Sequence, residues 1–115
     1  MKTDPPYCNR VWLQGKIVST PSIQSLNQRT QATSFQLVMI ESWKNVTGEH
    51  RERNNTISVE VVGKDSAKVA REARLGSWAT IEGYIRSEQV KGRDIKKVRT
   101  LTIQVWEKND EEGNS

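Results

Sequence analysis

Histidine and cysteine are nearly absent from this chain: Cys8 and His50 are the only ones among its 115 residues. A lone cysteine excludes an internal disulfide and any metal site assembled from cysteines. A lone histidine removes Ser-His-Asp and Cys-His nucleophile arrangements, and multi-histidine zinc sites with them. No pair of carboxylates has a setting suited to acid–base work, and no acid cluster would hold a nuclease metal. Asp65 and Glu72 read as a helix cap and a solvated helix face. The chain is therefore expected not to be an enzyme, with no catalytic residue, no metal and no cofactor. Apolar side chains are also scarce, at 34%, and no run approaches the roughly 20 residues that span a bilayer. The opening Met1-Lys2-Thr3-Asp4-Pro5-Pro6 lacks an apolar signal core and carries an early acid. A cytoplasmic location with no membrane role is the expectation.

Charge is plentiful and unevenly placed. The net charge is +4, but Glu107 to Ser115 hold four acids against one base, which leaves a body of 17 bases and 10 acids. A basic body suits a polyanionic partner. Four Trp and several short Val/Ile/Leu runs supply enough apolar area for one small core in a single domain.

Period two dominates the chain. Residues 1–8 read as an irregular lead-in. Val11, Leu13, Gly15 and Ile17 then share one face of a first strand, and Gly15 suggests a bulge or sharp bend. Residues 19–32 are polar and read as a loop or a loose strand end. A second strand runs over about 33–43, with Phe35, Leu37 and Met39 on one parity. Residues 44–55 read as a polar loop turning at Thr47-Gly48. Ile57, Val59 and Val61 mark a third strand, alternating with Ser58, Glu60 and Val62. A helix is predicted over 65–75, capped by Asp65 or Ser66, with Val69, Ala70, Ala73 and Leu75 as its buried stripe and Gly76 as its stop. Ala79, Ile81, Gly83 and Ile85 mark a fourth strand. After a basic loop over 88–96, Leu101, Ile103 and Val105 mark a fifth. Strand-strand-strand-helix-strand-strand matches the OB-fold, an all-β, five-stranded Greek-key barrel with one short helix between strands 3 and 4. The domain is expected over 9–106, followed by a short acidic disordered tail over 107–115.

Particular residues point further. Asn9-Arg10-Val11-Trp12-Leu13-Gln14-Gly15, Glu41-Ser42-Trp43-Lys44, Thr47-Gly48-Glu49, Val61-Val62-Gly63-Lys64 and Ile81-Glu82-Gly83 occur in order and at compatible spacings. Together they resemble the bacterial single-stranded-DNA-binding protein family, from Asn9 to about Val105. The resemblance implies base stacking at four aromatic positions. Here Trp43 keeps one, while Thr56, Val62 and Val90 stand at the others. Family members also carry a long tail with an apolar tip, which Asp110-Glu111-Glu112-Gly113-Asn114-Ser115 does not match. The reduced stacking set resembles the primosomal replication protein N branch, which is dimeric and leans on basic loops.

These readings define the expected site. Trp43 would stack a base with Lys44 beside it. Arg51 and Arg53, and the set Arg86, Lys91, Arg93, Lys96, Lys97 and Arg99, would meet phosphates and make binding steeply salt-sensitive. Trp12, Trp78, Tyr84 and Trp106 lie opposite the aliphatic rows and would bury a subunit interface or pack on the core, with replacement stacking surface for bases as the alternative. The expected function is binding of single-stranded DNA with little sequence specificity, in replication, repair or recombination. Nothing reads a 2′-hydroxyl, so RNA is equally admitted. A homodimer or homotetramer is expected, with replication or primosome proteins as further partners. The alternatives are a primosomal replication protein N-like accessory factor, or an OB-fold protein-interaction subunit with weak nucleic-acid binding.

Overall fold

The computed structural model describes residues 7–107. Residues 1–6 of the expected lead-in and 108–115 of the expected acidic tail lie outside the described residues. Six strands and one helix follow one another: β1 (Val11–Ile17), β2 (Ser22–Ser25), β3 (Gln31–Lys44), β4 (His50–Val62), α1 (Lys64–Glu72), β5 (Trp78–Val90) and β6 (Arg93–Trp106).

The strands lie in the order β1-β5-β6-β4-β3-β2, and β1 pairs again with β3 through Lys16 with Val38 and Ile17 with Leu37. That second pairing closes β1, β5, β6, β4 and β3 into a five-stranded barrel. The helix falls between the third and fourth barrel strands, as expected. Counting β2, it lies between β4 and β5.

Inside the barrel, Ile17, Phe35, Leu37, Val59, Val61, Ala79, Ile81 and Val98 pack together, with Val69 of α1 and its C-cap residue Ala73 packed against them. Burying an aliphatic or aromatic side chain of this size stabilises by about 1.5–3 kcal/mol. The period-two rows predicted for β1, β3, β4 and β5 supply most of this core. Gly15 is not a bulge, since β1 pairs with β5 without a register shift there. A Cβ at Gly15 would lie 2.3 Å from the Val38 carbonyl oxygen, so glycine is what lets β1 approach β3 where the barrel closes. The register shift lies instead opposite Glu82/Gly83, where Glu82 faces Thr102 and Gly83 faces Thr100. The extra residue in β6 is Leu101, and it reverses the parity of the strand. Val98 therefore points inward and Leu101 is exposed, while Ile103 and Val105 of the expected row pack against the core.

β2 occupies part of the segment read as a loop or loose strand end. All four of its residues are exposed, so no inward apolar side chain announces it, and β3 is its strand partner. The helix is shorter than predicted. Its N-cap is Gly63 at φ 93°, with no side-chain cap, so Asp65 and Ser66 do not cap it. The Ser66 side chain is buried against β3, where its hydroxyl lies 2.7 Å from the Thr33 hydroxyl. Leu75 lies past the helix end and is exposed.

Candidate nucleic-acid interface

Two hairpins extend beyond the closed barrel. β3 and β4 stay paired out to Lys44 opposite His50, although β1 and β6 touch them only nearer the barrel. The predicted 44–55 loop is thus mostly strand, and only residues 45–49 form the turn. There the Asn45 Oδ1 accepts from the Thr47 and Glu49 amides at 3.0 and 2.9 Å, and Gly48 takes φ 87°. Residues 50–56 are polar because solvent bathes both faces of this arm, so there is no core face for a period-two pattern to record.

Strand geometry sorts this arm into two faces. Trp43 lies opposite Arg51, and Glu41 opposite Arg53. Trp43 is 40% exposed, and the Arg53 guanidinium sits 6.0 Å from its ring centroid, within cation–π range. Arg51 also meets the Glu49 carboxylate at 3.3 Å. Lys44 lies on the other face with His50, whose ring is 3.4 Å from Glu52. The structure therefore brings Trp43 together with Arg51 and Arg53 but not with Lys44.

The second arm joins β5 to β6. Its predicted loop is strand on both sides of a two-residue turn, Lys91-Gly92, with φ of 51° and 79°. Positive φ at both positions is the tight hairpin geometry that matches strand twist. Arg86 and Arg93 share one face, and Lys91 stands at the tip. None of the three has an ion-pair partner among the described residues. Lys96, on the opposite face, is bonded to Asp94 and to the Ser87 hydroxyl.

Lys97 and Arg99 behave differently, because both point at Glu60 of β4. Lys97 Nζ is 3.1 Å and Arg99 Nε 2.8 Å from its carboxylate oxygens, and Lys97 also meets Glu88 at 2.6 Å. Glu60 is nearly covered, at 6% exposure. Burial alone would raise its carboxyl, but hydrogen bonds and charge from Lys97 and Arg99 together hold it below the ordinary carboxylate range. Burial likewise opposes the charged Lys97, yet Glu88 and Glu60 together hold its ammonium above the usual lysine value. The parallel pairing of β4 with β6, at Glu60 opposite Arg99, makes this meeting possible. Nothing local to Glu60 announced it, because its parity was that of a solvated strand face.

On the outer barrel wall, the Trp78 and Trp106 rings stack with centroids 5.6 Å apart. The Trp106 indole donates to Thr80 Oγ1 at 3.1 Å, and Thr80 donates to Gln14 at 3.0 Å. Tyr84 is half-buried on the same wall, while Trp12 is 71% exposed. Thr56 and Val90 are exposed on the two arms, and Val62 is half-buried at the end of β4. No group of three or more His, Cys, Asp or Glu able to hold a metal occurs among the described residues. No helix there is long and apolar enough to cross a membrane.

Comparisons with known proteins bear on this arrangement. The chain is 27% identical over 99 residues to a single-stranded DNA-binding protein of Aquifex aeolicus (strain VF5), covering 84% of this chain and 67% of that protein. A deletion mutant of the single-stranded DNA binding protein from Thermus aquaticus superimposes with a TM-score of 0.80 at 18% identity, over 90% of this chain and 52% of that one. A Plasmodium falciparum SSB in complex with ssDNA superimposes at 0.77 and 16% identity, over 93% of this chain and all of that one. The chain thus spans about half the length of the Thermus protein and two thirds of the Aquifex one. At these identities the solved structures establish the shared fold. Membership rests on the family model itself, which matches residues 8–109, and the chain belongs to the single-strand binding protein family.

Proposed function

We propose that this chain binds single-stranded DNA with little sequence preference, using the two arms as its contact surface. The family is one of non-enzymatic DNA-binding proteins, and the chain is a binder rather than a catalyst. The carrying observation is Trp43, exposed on a solvated arm with Arg53 over its ring and Arg51 across the strand. Every base offers a π-face, so one exposed indole beside cations stacks any base while the cations take phosphate. Arg86, Lys91 and Arg93 extend the cationic surface along the second arm. Lys97 and Arg99 leave the primary set because Glu60 holds them, and Lys96 and Lys44 are secondary contacts. The mode is less electrostatic than nine free cations would make it. RNA is admitted on the same chemistry.

The reading extends to a cytoplasmic role in replication, repair or recombination. Association into a homodimer or homotetramer would use the outer wall, where the exposed Trp12 favours a covering partner. Accessory work of the primosomal replication protein N kind fits the same surface. Titration of the full chain with oligo-dT, followed by Trp emission at low salt, tests the binding claim. Saturable quenching supports it, and no binding at low salt removes it.

A further inference from the structure

The Glu60 network contains one member unlike the rest. Glu60, Lys97 and Arg99 side chains are 8%, 15% and 21% exposed, whereas Glu88 is 48% exposed. With Glu88 the four charges cancel; without it, one positive charge faces solvent. Glu88 also lies on the arm face that carries Arg86, Lys97 and Arg93, with Val90 and Ile95 between them, and it is the one acid there.

We propose that Glu88 is an internal counter-ion that occupies the phosphate position on Lys97 and is displaced when a strand binds. This rests on the single-stranded-DNA reading above. Carboxylate and phosphate oxygens make the same kind of contact with an ammonium group, and an ion pair with a half-exposed partner is weakly held and readily exchanged. Glu60, being covered, keeps Lys97 aimed while Glu88 leaves. The phosphate sheds its counter-ion on meeting Lys97 while the freed Glu88 carboxylate gathers one, so Lys97 adds little net salt dependence in the native chain. Glu88 thereby lowers affinity and flattens the salt response.

The test uses oligo-dT and the full chain, with binding measured over a range of salt. Glu88→Gln should tighten binding about fivefold at ~0.1 M salt and steepen the slope of log K against log salt by ~0.7, the value of one phosphate contact on a single strand. Glu72→Gln, which removes an acid from the exposed helix face, should leave the slope unchanged. Lys97→Gln should leave the slope unchanged in the native background and cancel the gain in the Glu88→Gln background. An unchanged slope in Glu88→Gln, or a gain that survives Lys97→Gln, overturns the inference. A native chain that fails to bind at all would instead overturn the reading on which it rests.

Discussion

Glu60→Gln removes the charge that organises β4, β5 and β6 at their common junction while keeping the side chain's size. Glu60 accepts from Arg99 Nε at 2.8 Å and Lys97 Nζ at 3.1 Å and is 6% exposed. A hydrogen bond to a charged group contributes about 1.5–3 kcal/mol. The amide keeps one acceptor oxygen, and Lys97 keeps Glu88, so part of that is retained. The expected loss at pH 7 is about 2 kcal/mol, set by the half-covered Arg99 guanidinium left without its anion. For a domain of this size that corresponds to a fall in Tm of about 8 °C. The loss has a pH signature. The folded-state Glu60 carboxyl lies below its ordinary value of 4.5, so its contribution is fully present above that value. It disappears as the pH falls through the lower folded-state value. Urea unfolding of the native chain and Glu60→Gln, at neutral and acid pH, reads both quantities. The stability gap should be near 2 kcal/mol at pH 7 and should shrink below pH 4.5. A gap under about 0.5 kcal/mol at pH 7, the scale of an ordinary surface change, would refute the reasoning. So would a gap that stays constant into acid.

Other expectations follow from single atoms. Thr100 Oγ1 is buried with no partner among the described residues, so Thr100→Val should raise stability by about 1 kcal/mol in urea unfolding; a loss would mean the hydroxyl is satisfied. Gly15→Ala places a Cβ 2.3 Å from the Val38 carbonyl oxygen, and overpacking there should cost about 2 kcal/mol. An unchanged melting temperature would deny the close approach of β1 to β3. Trp43→Ala should weaken oligo-dT binding by about 1–3 kcal/mol and remove most of the emission quench. A surviving quench would assign the stacking to another Trp.

The barrel was legible wherever a strand has one wet and one dry face. Phe35, Leu37, Val59, Val61, Ala79 and Ile81 are buried as their period-two rows require. The pattern falls silent where that contrast vanishes. The arm residues 50–56 are wet on both faces and β2 has no inward side chain, so strands read as loops. The Leu101 bulge reverses a parity that no composition rule signals. For the candidate site, residue type and position led to Trp43, Arg53 and the β5–β6 cations, and the fold places Arg53 beside the Trp43 ring. The division of those cations into unpaired and held depended on Glu60, which lies 37 and 39 residues from its partners Lys97 and Arg99. Only barrel closure brings them together, and local sequence carries no record of it.

The central claim is that the arms meet the phosphates of a single strand, and the salt dependence of oligo-dT binding tests it most directly. The native chain should show a slope of log K against log salt of about −2 to −4, corresponding to three to six neutralised phosphates. The combined variant Arg86→Ala, Lys91→Ala, Arg93→Ala should flatten that slope by about 2. A native slope near zero, or a combined variant with the native slope, would contradict it.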